Sequence, residues 1–221
     1  VKLLDIINSI ANRLKVLTKQ NGVRTGEVRS VSAELYKTLA NQHIDTILHH
    51  CTRLLDEKKW ALDIVAYDWA YRVRSQYSET TFPVFERWVK EYLTDWSNCD
   101  DFCTHALGYF LSRYPEFFPS VLEWTQHPKF VVRRAAPVTL IYPIRKCQYQ
   151  TMQPLLIADA LMHDEHYLVL KGYGWMLKVL SQVDPDAVYG YLLKHKRTMP
   201  RTAFRYALEK FDSKLRAELM Q

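Results

Sequence analysis

Glycine is scarce, six residues in 221, and none of the six belongs to a phosphate-cradling loop. No G-x-S-x-G elbow and no H-E-x-x-H helix occurs either, so nucleotide hydrolysis and the common hydrolase mechanisms have no footing in this chain. Cysteine is sparse as well: Cys51, Cys99, Cys103 and Cys147 include one i, i+4 pair but no dense framework, which predicts free thiols in a reducing cytoplasm. His49 with His50, His163 with His166, and Cys99 with Cys103 have spacings a metal could use, yet no second pair completes a four-ligand set, and no metal site is expected. Long apolar runs are missing. The start, VKLLDIINSIANRL, is broken by Asp5, Asn8, Asn12 and Arg13, so neither a signal peptide nor a membrane span is predicted, and a soluble protein is expected.

What is present is a globular composition, 48% hydrophobic and 24% charged, with a net charge of +6 that favours an acidic partner if the basic residues share a surface. Apolar residues recur at steps of three and four, as in Leu3, Ile6, Ile7, Ile10, Leu14 and Leu17, which predicts an all-α fold. Breaks at KQNGVRTG, LANQH, DEKK, SETTFP, YPEFFP, QHPK, PIRKCQYQ, MHDEH, VDPD and RTMP leave pieces of ordinary helix length.

An internal repeat is legible. YPEFFPSVLEWTQHPKFVVRRAA resembles DPDAVYGYLLKHKRTMPRTAFRYAL, and HPKFVVRRAAPVTL is echoed by HDEHYLVLKGYGWML; the step is about 35 residues, and EKKWALDIVAYDW supplies another copy of the second helix. Helical pairs at this period stack into an α-α superhelix whose concave groove is the place to look for function. A single domain over residues 1–221 is predicted.

Three helices offer cations to such a groove. Lys171, Trp175 and Lys178 share one face, while Leu168, Met176 and Val179 are expected to point elsewhere; the tryptophan is either core or a plane for nucleic-acid sugars. Arg133 and Arg134 lie about 100° apart around their helix, so at least one can leave the core. Arg197, Arg201 and Arg205 follow at four-residue steps, a row that tracks phosphates if it lines the groove and is solvent decoration otherwise.

The stretch DWSNCDDFC poses the sharpest alternative. Ser97 reads as a helix N-cap with Asp100 at N3, where a carboxylate meets free backbone N–H groups. Capping does not call for Trp96 just before it, because its staple partner would be Asp101, which is not apolar. The spacing from Trp96 favours Asp100 over Asp101 as a working carboxylate.

The ordered set WSNCD (Trp96, Asp100), FVVRRAA (Arg134) and GYGWML (Trp175) followed by DPDAVYGYL resembles the AlkD family of bacterial alkylpurine DNA glycosylases, HEAT-like repeat proteins, most specifically over residues 94–192. Upstream, Arg13 and Arg24 stand where the family pattern has a tyrosine and a glutamine near the DNA. The resemblance implies a cofactor-free monomer of the bacterial cytoplasm that hydrolyses the N-glycosidic bond of cationic N3- and N7-alkylated purines in double-stranded DNA. Asp100 would stabilise the sugar cation and orient water, Trp96 and Trp175 would hold the lesion's sugar–phosphate, and Arg134 would bind its phosphate. Arg133, Lys171, Lys178, Arg197, Arg201, Arg205 and Arg24 would serve DNA binding. Two other readings stay open: a catalytically silent relative that recognises unusual DNA structure, which should lack the carboxylate, and a helical-repeat scaffold for proteins, which should have an apolar or mixed groove.

Overall fold

The computed structural model describes residues 24–220 together with Asn8 and Asn12. The apolar stripe from Leu3 to Leu17 and the position of Arg13 lie outside the described residues. Among the described residues every regular element is helical, as the three-and-four spacing predicts, and the breaks read from the sequence between Leu39 and Pro200 fall at or next to helix ends. The chain separates into two compact units, residues 1–92 and 93–221.

In the first unit the helices are α1 (Thr25–Tyr36), α2 (Ile44–Leu55), α3 (Trp60–Arg72) and α4 (Thr81–Glu91). α2 shows why these pieces fold as they do: Ile47, Leu48, Cys51, Leu54 and Leu55 fall on one side and are buried, while the other side carries charge. Trp88 donates its indole N–H to Thr52 Oγ1 at 3.1 Å and Tyr92 donates its hydroxyl to Asp56 at 2.7 Å, each across 36 residues. Ser32 and Asp68 meet over the same interval, and Trp69 donates to the Ser32 carbonyl. The repeat period thus appears as a register of hydrogen bonds between stacked helices.

The second unit runs α5 (Trp96–Phe102), α6 (Gly108–Arg113), α7 (Phe118–Glu123), α8 (Phe130–Arg145), α9 (Pro154–Ala160), α10 (Tyr167–Leu180), α11 (Pro185–His195), α12 (Arg201–Ala207) and α13 (Ser213–Met220). A π-turn over Cys103–Leu107 joins α5 to α6, an irregularity that no sequence break announces. α5 and α6 pack on α8, α8 on α10, and α10 on α12, while α9 is wedged against α8 and α10. This is the repeat-like stacking of an α-α superhelix. α8 is apolar nearly all round and forms the centre of the unit, with Val131, Val132, Ala135, Ala136, Leu140 and Ile141 buried. α12 approaches α10 closely at Gly174, where a Cβ would come within 2.8 Å of Tyr206 Cβ and 2.9 Å of the Ala203 carbonyl oxygen.

Candidate DNA-facing site

α5 begins differently from the sequence expectation. Asp95, not Ser97, is the N-cap: its Oδ1 accepts the backbone N–H of Ser97 at 2.7 Å and of Asn98 at 3.2 Å. The cap residue's carboxylate already satisfies the free N–H groups of the first turn, and Asn98 occupies N3. Trp96 is therefore N1 and Asp100 lies one turn beyond the cap. Asp100 is released from any capping duty, which corrects the reading of its carboxylate as an N3 group.

Asp100 is held from α8 instead. Arg134 donates Nε and Nη2 to Asp100 Oδ1 at 3.0 and 2.8 Å, and Nη2 also to Oδ2 at 2.9 Å. Its remaining nitrogen, Nη1, donates to the Leu168 carbonyl oxygen in the first turn of α10 at 2.5 Å. One buried guanidinium, 5% exposed, thus fastens three helices at one point and aims the carboxylate. Burial pushes the Asp100 carboxyl above its ordinary value; the charge and hydrogen bonds of Arg134 pull it down in part, and Asp95 adds a smaller upward push.

Asp100 and Arg134 form one wall of a cavity of about 540 Å³ completed by Trp96, Leu168, Lys171, Trp175, Lys178 and Tyr206. Trp96 stands 54% exposed at its edge, a costly place for an indole unless something covers it. Lys171 Nζ lies 4.5 Å from the Tyr167 ring centroid and 5.8 Å from that of Tyr206, and Lys178 Nζ lies 5.5 Å from Tyr206. The hydrogen bond with Tyr167 raises the Lys171 ammonium above its ordinary value, so it is a cation at neutral pH. Lys178 also pairs with Glu209. Arg145 places its guanidinium 5.9 Å from the Trp175 ring.

Asp100, Trp96, Trp175, Arg134, Lys171 and Lys178 are therefore brought together on α5, α8 and α10. Leu168 joins them, against the expectation that it points elsewhere; it is three residues before Lys171 and so on the same helical face. Tyr206 was not anticipated, because only the docking of α12 on α10 brings it to the cavity. Arg133 is not in this wall: it forks onto Asp164, with Nε to Oδ2 at 2.5 Å, and donates to the His127 and Pro128 carbonyls, tying the start of α8 to the turn before α10. The row Arg197, Arg201, Arg205 does not lie on one helix, since Arg197 falls in the turn before α12. Arg201 rests near the Phe204 ring and Met220, and Arg205 lines a neighbouring cavity with Tyr206, Glu209 and Arg216. Arg24 precedes α1 in the other unit, where its backbone N–H donates to Glu27.

Asp101 faces away from the cavity, 3.6 Å from His105 Nδ1. Cys99 and Cys103 are buried free thiols 4.0 Å apart, and burial pushes the Cys99 thiol up. Among the described residues no group of three or more His, Cys, Asp or Glu side chains is arranged to hold a metal ion. No helix among them is long and apolar enough to cross a membrane.

Comparison with known proteins gives a context for this geometry. The fold is similar to that of a predicted DNA alkylation repair enzyme from Enterococcus faecalis, with a TM-score of 0.67 at 16% identity over 92% of this chain and 95% of that one. No curated protein sequence matches the chain significantly. The profile of the DNA alkylation repair enzymes matches residues 5–211, nearly the whole length and every residue of the cavity. The chain belongs to the DNA alkylation repair enzyme family.

Proposed function

We propose that the protein is a DNA glycosylase that hydrolyses the N-glycosidic bond of cationic N3- and N7-alkylated purines in duplex DNA. The observation that carries this reading is Asp100: a carboxylate freed from helix capping, fixed by Arg134, and lining one cavity with Trp96, Trp175 and Lys171. Among the described residues it is the one carboxylate in the cavity wall. A neutral base would need a proton donor to leave, and a single ionised carboxylate does not supply one. An alkylated purine already bears a positive charge and needs none.

In the step, the C1′–N9 bond breaks and its electron pair leaves with the purine, neutralising the base. Positive charge develops on the deoxyribose, which becomes oxocarbenium-like. The Asp100 carboxylate stabilises that charge and orients a water, whose oxygen forms the new bond to C1′ as its proton passes to the carboxylate or to solvent. Trp96 and Trp175 brace the sugar, and Lys171 and Lys178 meet the flanking phosphates. Arg134, with all its nitrogens engaged, acts by aiming Asp100. The test is base release: 7-methylguanine should be freed from a duplex oligonucleotide, while uracil in the same sequence should persist. Efficient uracil release would rule out a mechanism that relies on a leaving group already charged.

A further inference from the structure

We propose that Gly172 is a positioning residue for the Asp100 carboxylate: by having no side chain it lets Arg134 lie against α10 and reach Asp100 and Leu168 at once. A Cβ at Gly172 would stand 3.3 Å from Arg134 Cγ, 3.4 Å from Arg134 Nη1 and 3.5 Å from Pro137 Cγ. The approach to Arg134 Cγ is tighter than ordinary packing and requires that side chain to yield by a few tenths of an ångström, whereas 3.5 Å from Pro137 is ordinary van der Waals contact. The Arg134 guanidinium is pinned on both sides, through Nη1 on the Leu168 carbonyl and through Nε and Nη2 on Asp100. Shifting Cγ shifts the guanidinium it carries, and the bonds that loosen are those that aim the carboxylate.

Helix propensity argues that this glycine is held there for a reason. It sits inside α10, fully buried, at a position where alanine is the better helix former. Gly190, in α11, meets nothing within 4 Å of its added Cβ and serves as the control with the same chemistry. The charged and titratable groups around Asp100 are Asp95 and Cys99 from its own segment, Arg134 from α8, Lys171 and Lys178 from α10 and Tyr206 from α12. Of these, Arg134 is the one that Gly172 touches.

The role rests on Asp100 being the reacting group, so the primary readout is independent of excision. In the free protein, the Asp100 carboxyl is titrated by carbon NMR in the parent, Gly172→Ala and Gly190→Ala. Gly172→Ala should move the midpoint to higher pH, because a loosened Arg134 favours the carboxylate less, and Gly190→Ala should not move it. Single-turnover release of 7-methylguanine should then fall about tenfold in Gly172→Ala at saturating protein, with DNA affinity near parental. Adding Gly172→Ala to Arg134→Gln should shift the midpoint no further, since the contact is already gone. An unchanged midpoint in Gly172→Ala overturns the proposal, whatever the excision assay gives. A shifted midpoint with a parental excision rate keeps the contact but refutes the positioning role. If Gly172→Ala does not fold, recovery of the fold in the double variant with Arg134→Gln supports the contact, and failure in both overturns it.

Discussion

Asp100→Asn separates chemistry from architecture. Asparagine keeps an Oδ1 that can accept from Arg134 Nε and Nη2, now at 3.0 and 2.8 Å, and it preserves the shape of the wall. It removes one negative charge. A full charge pair about 4 Å apart is worth about 4 kcal/mol at an effective dielectric of about 20. The sugar carries only part of a charge in the transition state, and Arg134 already draws on the carboxylate, so about 2.7 kcal/mol is a reasonable share. That corresponds to about a 10²-fold loss of single-turnover excision.

Stability should respond differently. Burial raises the Asp100 carboxyl above its ordinary 3.8. The folded chain holds that proton more tightly than the unfolded chain, so the linked stability is fully present below about 3.8 and is lost as pH rises through the folded value. At neutral pH none of it is left to lose, but the Asn variant leaves the buried Arg134 guanidinium without its counter-charge, a loss of up to about 3–5 kcal/mol when one partner of a buried pair is removed. Its melting temperature should therefore fall by several degrees at pH 7, and excision is compared at a temperature where parent and variant are both folded. Asp95→Ala is the reciprocal case: it strips the acceptor from Ser97 and Asn98 N–H, costs about 0.5–2 kcal/mol, and should lower the melting temperature. Rapid-quench excision and thermal melts on both variants decide the matter. If Asp100→Asn cleaves at the parental rate, the carboxylate is structural and the catalytic assignment is wrong.

The pH dependence follows from the same raised carboxyl: the carboxylate is the working form, so the excision rate should fall on acidification at a pH above the ordinary aspartate range, and Arg134→Gln should move that limb higher. A rate that is flat on acidification well into the ordinary aspartate range would contradict it. Duplex binding should weaken by orders of magnitude from low to physiological salt, and Lys171→Ala should reduce the slope, as read by fluorescence anisotropy; salt-independent binding would refute the basic wall. Trp175→Ala should lose affinity and rate together, because a ring that braces the sugar does so before and during bond breaking, and a loss confined to the rate would argue against that role.

The class of the fold was legible before any tertiary contact was known, because helical periodicity and its interruptions are local. The three-and-four spacing of Ile47, Cys51 and Leu54 makes a one-sided helix wherever it occurs, and LANQH, DEKK and VDPD end helices through their own backbone preferences. The repeat step carried further: Asp100, Arg134 and Leu168 recur at intervals of 34, so equivalent faces of successive helices were bound to meet. The grouping of Trp96, Asp100, Arg134 and Trp175 came from the resemblance to the AlkD family rather than from the repeat step, and the structure places all four on one cavity.

What needed the tertiary structure was direction. Arg133 and Arg134 are chemically identical neighbours; one forks onto Asp164 in the turn before α10 and the other onto Asp100 in α5 and the Leu168 carbonyl in α10, because about 100° of helix rotation gives them different neighbours. The cap on α5 is Asp95 rather than Ser97 because a carboxylate there reaches two N–H groups, a competition between adjacent residues that spacing does not resolve. Tyr206 enters the cavity only because α12 packs tightly on α10 at Gly174. Arg197 leaves the expected row because the chain turns after α11, so a step of four residues there is no longer a step along one helical face. Periodicity assigns a residue to a face, and only the neighbour packed on that face decides what the residue touches.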